Sequence, residues 1–180
     1  MKKVGVVGAG IMGKGIVQRL AMSGYLIELY DSDQNVLNET LNHLGKRLKE
    51  ASAKNLILEE DIEEILCLIE LKNKLEDFSE DLDILIEAAT EDIQVKKSLF
   101  ETLEDHCSEN TIFATNTSCL AVNKIADSLS HKDRFLGMHF FFPAEKNKLV
   151  EIIAAYETSS KTKKKVAKRC ENLEKFEIKD

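Results

Sequence analysis

Residues 4–13 read Val4-Gly5-Val6-Val7-Gly8-Ala9-Gly10-Ile11-Met12-Gly13. The apolar run Val4–Val7 has the composition of a buried strand, and it enters a glycine-rich turn without a spacer. Beyond the turn, Met12, Ile16, Val17, Leu20 and Ala21 recur at helical spacing. A second apolar run, Leu26-Ile27-Glu28-Leu29-Tyr30, closes on the acid Asp31. Each part has a physical role in gripping a dinucleotide. Gly8 permits the tight turn, Gly10 lets backbone approach a pyrophosphate, and Gly13 lets helix and strand pack closely. The first turn of the helix, with Ile11 and Met12, offers unpaired N–H groups and partial positive charge. Glycines in this spacing also mark ordinary turns, and the strand, helix and terminal acid are what separate the two readings. Asp31 can accept bonds from ribose hydroxyls and would repel a 2′-phosphate, and no arginine follows closely, so NAD is expected rather than NADP.

The chain has 180 residues, enough for one full-sized domain with a real core. Its formal net charge of -7 argues against a nucleic-acid partner, which needs a basic footprint. Cys67, Cys107, Cys119 and Cys170 are scattered, with no C-x-x-C pair and no Cys/His spacing suited to zinc. They read as free thiols in a reducing compartment, and no metal is expected. The basic start Met1-Lys2-Lys3 resembles that of a signal peptide, but the apolar run after it is short, glycine-rich and broken by Lys14. No stretch is long enough to span a bilayer, so a cytoplasmic protein with no membrane partner is expected.

After Asp31, Val36, Leu37, Leu41, Leu44 and Leu48 predict a long helix, and Glu59 to Leu71, with Ile62, Ile65, Leu66 and Ile69 aligned, predicts a second. These form a helical arm over about 36–72, inserted before the third strand; it is either a packed hairpin or an arm that holds part of a large substrate. Further strands are expected at Leu82–Ala88, Thr111–Thr115, Phe135–Phe141 and Leu149–Ala154, with a last short one at Phe176–Ile178. Helices are expected at Ile93–Cys107, Val122–Leu129 and Ser160–Lys175, the last with Val166, Ala167, Cys170 and Leu173 inward. Alternating strands and helices imply parallel β-α-β units with right-handed crossovers. The fold class is α/β: a doubly wound, mostly parallel Rossmann-type sheet with a helical hairpin insertion, one dinucleotide-binding domain over 1–180.

Ligands of such sheets bind beyond the carboxyl ends of the strands, where Asn116-Thr117-Ser118 falls. His139 lies within a strand, and Glu151 is an acid inside the apolar run Leu149–Ile153. Histidine suits the removal of a hydroxyl proton, and a carboxylate on its other nitrogen would fix the tautomer. The two could form that dyad if their strands meet, with Ser118 bonded to the substrate oxygen. Taken singly, each has a plainer reading: a core histidine, an edge-strand acid, and a cap for the helix at Val122. Glu87 and Glu91 flank a strand end, where Glu91 either lines the cofactor site or faces solvent.

Together these segments resemble the 3-hydroxyacyl-CoA dehydrogenase family, especially its short-chain 3-hydroxybutyryl-CoA members. The resemblance rests on Gly8–Gly13, Glu87-Ala88-Ala89-Thr90-Glu91, Ala114–Ser118, Gly137-Met138-His139-Phe140-Phe141 and Lys148–Ile152, and it runs from Val4 to Asp180. It implies an NAD-dependent oxidoreductase of fatty-acid or butyrate metabolism, acting on an acyl-CoA. It implies His139 as catalytic base, Glu151 as its acidic partner, and Ser118 bound to the substrate's 3-oxygen. It places Asn116 beside substrate and nicotinamide, Asp31 on the adenosine ribose, and Glu91 and Lys96 near the nicotinamide ribose. The helical arm would help hold coenzyme A, with Lys54 as a phosphate contact. Phe142 departs from the Asn usual after His-Phe-Phe, and Cys119 from a common Ser. The family's helical C-terminal domain, which makes it a homodimer, is expected to lie outside this chain, so the chain alone is expected to be weakly active or inactive. A non-catalytic NAD-binding module and a related sugar-acid (gulonate-type) dehydrogenase remain alternatives.

Overall fold

The computed structural model describes residues 3–171 and 176–179, and for residues 169, 171 and 176–179 the backbone alone. In chain order the elements are β1 (Lys3–Val7), α1 (Ile11–Met22), β2 (Leu26–Tyr30), α2 (Gln34–Ser52), α3 (Asp61–Cys67), β3 (Ile69–Lys72), β4 (Ile84–Glu87), α4 (Ile93–His106), β5 (Ile112–Thr115), α5 (Val122–Ala126), β6 (Phe135–Phe140), β7 (Val150–Ala154), α6 (Ser160–Glu171) and β8 (Phe176–Lys179). They build one sheet in the order β3-β2-β1-β4-β5-β6-β7-β8. Every neighbouring pair is parallel except β6 with β7. The first six strands have the doubly wound order, with the switch point between β1 and β4.

Successive strand residues face opposite sides, so each strand feeds two cores. Val4 and Val6 point with Ile27, Leu29, Ile84 and Ile86 toward α1, α2 and α6, where Ile16, Val17, Leu37, Leu44 and Val166 meet them. Val7, Leu85 and Phe113 point the other way, toward Phe100 and Leu103 of α4 and Ile125 of α5. Phe100 sets its edge against Phe113 at 6.0 Å and against Phe135 at 5.0 Å between centroids. Because both faces are covered, the central strands are mostly apolar, with the buried Glu87 and Thr115 closing β4 and β5.

The helical arm differs from its sequence expectation. The second helical segment, expected over Glu59–Leu71, is the short α3 followed by an edge strand, β3. Ile69 fits the helical spacing of Ile62, Ile65 and Leu66, but it pairs with Ile27 of β2 instead. Capping α3 off at Cys67 completes a third parallel strand beside β2, and the sheet's hydrogen bonds outweigh a weak local helix preference. The helix expected at Val122–Leu129 ends at Ala126. The extension of α6 through Lys175 and the inward placing of Leu173 lie outside the described residues. Among the described residues, no helix is long and apolar enough to cross a membrane.

Candidate functional site

The glycine turn is shaped by contacts that exclude side chains. Gly8 has φ +105°, a left-handed conformation that favours glycine. A Cβ on Gly13 would stand 1.8 Å from the Gly8 carbonyl oxygen, so α1 and the turn can only meet through hydrogen. A Cβ on Gly10 would meet no atom within 4 Å and would instead fill the open space over the turn. Helix α2 is capped by Asp33 and α4 by Asp92, each side chain accepting two backbone N–H bonds. At α1 the N-cap is Gly10, with no side-chain cap. The first-turn donors of α1 therefore face a cradle shaped for an anion, and the residues present fit a dinucleotide's diphosphate.

Among the described residues, three cavities adjoin this turn. One of ≈ 300 Å³ is lined by Gly8, Tyr30, Asp31, Ala89 and Leu99, among others. A second of ≈ 250 Å³ is lined by Met12, Ala88, Ala89, Glu91, Lys96, Asn116, Ser118, His139, Phe140 and Phe142. A third of ≈ 600 Å³ lies between α1, α2 and the loop after β6, with Gly10, Ile11, Lys14, His43, Arg47 and Lys146 on its walls. Phe142 is 69% exposed and lines both the second and third. Asp31 accepts the Ala9 N–H at 2.6 Å, tying the acid to the turn.

The antiparallel register of β6 and β7 sets His139 directly opposite Glu151. Nδ1 of His139 lies 3.5 Å from Oε2 of Glu151, with the two side chains 18% and 13% exposed. The His139 ring also tilts against Phe141 at 4.6 Å. Asn116 follows β5; its Oδ1 accepts the Phe140 N–H at 2.8 Å, which leaves its NH₂ end as the donor for a ligand. Ser118 is exposed, and its Oγ lies 3.2 Å from the Cys119 sulfur. It does not cap α5, whose N-cap is Ala121 with no side-chain bond.

Glu91 and Lys96 belong to a network that also holds a buried acid, Glu87, at the end of β4. Lys96 Nζ lies 2.7 Å from Glu87 Oε1 and 3.2 Å from Glu91 Oε2. Glu87, fully buried, also accepts from the Ala89 N–H and the Thr115 hydroxyl, each at 2.7 Å. Glu91 accepts from the Thr117 hydroxyl at 2.9 Å and the Ser118 N–H at 3.0 Å. Burial raises the Glu91 pKa, but the Ser118 N–H, the Thr117 hydroxyl and the Lys96 ammonium outweigh it and hold the carboxyl below its ordinary value. The sequence marked Glu87 only as flanking a strand end; the signal for more was a charge at the end of the all-buried run Ile84–Glu87. Lys54 stands apart from His139. It lines a cavity of ≈ 110 Å³ with Arg47 and Lys146, residues that also line the ≈ 600 Å³ cavity.

Across 3–179 the chain matches the family model described as 3-hydroxyacyl-CoA dehydrogenase, NAD binding domain. It is 39% identical over 160 residues to a 3-hydroxybutyryl-CoA dehydrogenase of Clostridioides difficile, covering 89% of this chain and 57% of that one. It is 33% identical over 183 residues to the mitochondrial hydroxyacyl-coenzyme A dehydrogenase of Rattus norvegicus, covering 99% of this chain and 58% of that one. The crystal structure of (S)-3-hydroxybutyryl-CoA dehydrogenase from Ralstonia eutropha superposes with a TM-score of 0.94 at 34% identity, covering 99% of this chain and 62% of that one. The chain thus spans less than two thirds of the length of each of these proteins.

Proposed function

The chain belongs to the 3-hydroxyacyl-CoA dehydrogenase family, whose NAD-binding domain it carries, and from that premise we propose that its protein interconverts L-3-hydroxyacyl-CoA, in particular 3-hydroxybutyryl-CoA, with 3-ketoacyl-CoA. The observation that carries this reading is the His139–Glu151 pair, 3.5 Å apart, with His139 on the wall of a cavity beside the α1 N-terminus. In this reading the adenosine ribose meets Asp31, the diphosphate lies over Gly8–Gly13, and the nicotinamide enters the ≈ 250 Å³ cavity beside Glu91, Lys96 and Asn116. When bound, NAD supplies a ring that accepts hydride from the hydroxyl-bearing carbon.

The chain's own residues supply the rest. His139 takes the hydroxyl proton on Nε2, the nitrogen left for the substrate while Nδ1 faces Glu151. Glu151 fixes the tautomer and offsets the positive charge that the ring gains. The Ser118 hydroxyl donates to the substrate oxygen and holds it at bonding distance from the imidazole. The coenzyme A portion follows the ≈ 600 Å³ cavity, where Lys14, Arg47 and Lys146 favour an anionic ligand, with Lys54 beyond them. The active form is proposed to be a homodimer in the cytoplasm; thiols outside any disulfide at Cys67, Cys107 and Cys119 suit that compartment.

The test is NADH oxidation driven by acetoacetyl-CoA, measured with the chain and with a form of its relatives' length. NADH binding by both and turnover by the longer form are expected. NADH binding without any acetoacetyl-CoA turnover in the longer form would leave a cofactor-binding module and remove the enzymatic reading.

A further inference from the structure

Charges around the ≈ 250 Å³ cavity do not balance. The titratable residues on its walls are Glu91, Lys96 and His139. Lys96 is almost wholly buried and touches two carboxylates, Glu87 behind it and Glu91 at the cavity. The bonding pattern makes both acids acceptors. On Glu87, the Lys96 ammonium and the Ala89 N–H can only donate. The Thr115 hydroxyl donates to Glu87 as well, while its oxygen accepts the Thr117 N–H. On Glu91, the Ser118 N–H and the Lys96 ammonium can only donate. One cation against two carboxylates leaves one negative charge, and Glu91, whose side chain is 44% exposed, presents it to the cavity.

We propose that the Glu87–Lys96–Glu91 triad selects the redox state of the cofactor, its excess negative charge favouring the oxidised, cationic nicotinamide over the neutral reduced one. This rests on the reading that the nicotinamide enters this cavity. Glu87 acts as a positioning residue: it neutralises Lys96 from behind, so the Glu91 carboxylate is not cancelled by its own ion-pair partner. Without Glu87, Lys96 and Glu91 would balance and the cavity would lose its bias. The fixed charges lie in a partly enclosed site, where solvent screens them less than on an open surface.

The experiment measures dissociation constants of the chain for NAD⁺ and for NADH by calorimetry and by NADH fluorescence. Glu91→Gln, at an accessible position, should lower the affinity for NAD⁺ relative to NADH by roughly tenfold, the scale of one charge across a partly solvated site. Glu87→Gln should move the ratio the same way. Adding Lys96→Met to Glu87→Gln removes one charge of each sign together, and should return the ratio toward that of the unmodified chain. If Glu91→Gln weakens both cofactors equally, or neither, the triad does not sense redox state and the proposal fails. A ratio still displaced in the double variant would trace the effect to packing and overturn it as well. If the unmodified chain binds neither cofactor, the nicotinamide reading itself falls, and this inference with it.

Discussion

His139 and Glu151 are twelve residues apart in sequence and face to face in space. At this scale the function depends on which atoms are left for a ligand. Nδ1 of His139 is turned to Glu151 and Oδ1 of Asn116 is held by Phe140, so the free valences are the Nε2 of one and the NH₂ of the other. Replacing His139 with Gln keeps the volume and removes the base. In the proposed reading turnover by the longer form falls by ~10²–10⁴-fold while NADH still binds. Near-normal steady-state rates in that variant would take His139 out of the mechanism. Asp31 accepts the Ala9 N–H and lines the ≈ 300 Å³ cavity where the proposed reading seats the adenosine ribose. Asp31→Ala is expected to weaken NAD binding relative to NADP, read as a ratio of dissociation constants; an unchanged ratio would assign the selection to another group. The types of both residues were legible in the sequence. The Glu87–Lys96 contact was not, because nothing in a linear pattern says that a lysine within α4 turns inward to meet an acid at the end of β4.

Elements position these residues, and the loop between β6 and β7 carries the largest share of that task. It reverses the chain so that β7 runs antiparallel to β6, and that reversal is what sets Glu151 opposite His139. Arg19 of α1 pins the loop's far end, donating to the carbonyls of Asn147 at 2.7 Å and Lys148 at 2.8 Å. Its guanidinium also stands over the Phe140 ring, 5.8 Å from the centroid. Arg47 of α2 holds the loop from the other side through Glu145 at 2.6 Å. Arg19→Met leaves two carbonyls without these charged donors, and the expected loss is about 2–3 kcal/mol. In a chain of this size that lowers the melting temperature by roughly 4–12 °C, measurable by calorimetry. A shift within about 1 °C would mean that water replaces the arginine without penalty. Local pattern reveals α1, α2 and α4 through their apolar stripes, while the structure adds the Asp33 and Asp92 caps. It misplaces β3, where Ile69 continues a helical spacing and only the exposed edge of β2 makes a strand the better partner.

At the scale of the whole molecule, two layers of helix on one sheet divide the cysteines. Cys67 and Cys119 are exposed, whereas Cys107 and Cys170 are buried. Burial pushes the Cys107 thiol up to about 11, so it remains protonated and a poor nucleophile wherever the fold is intact. Labelling with a soluble thiol reagent near neutral pH should therefore be fast at Cys67 and Cys119. At Cys107 and Cys170 it should be slow, accelerating only when denaturant unfolds the sheet. Fast labelling of Cys107 in the native chain would show that the α4 side of the core opens locally rather than with the whole domain. Chain order alone determined the fold class, since the glycine turn, the terminal acid and the alternation of strand and helix are local patterns. It also marked the candidate side chains for the proposed chemistry: a histidine, an acid and a hydroxyl near strand ends. Tertiary structure alone decided which of them meet. The β6–β7 register, the inward turn of Lys96 and the edge pairing of β3 depend on contacts between different elements. Their energies come from shared burial and hydrogen bonds, which no single segment contains.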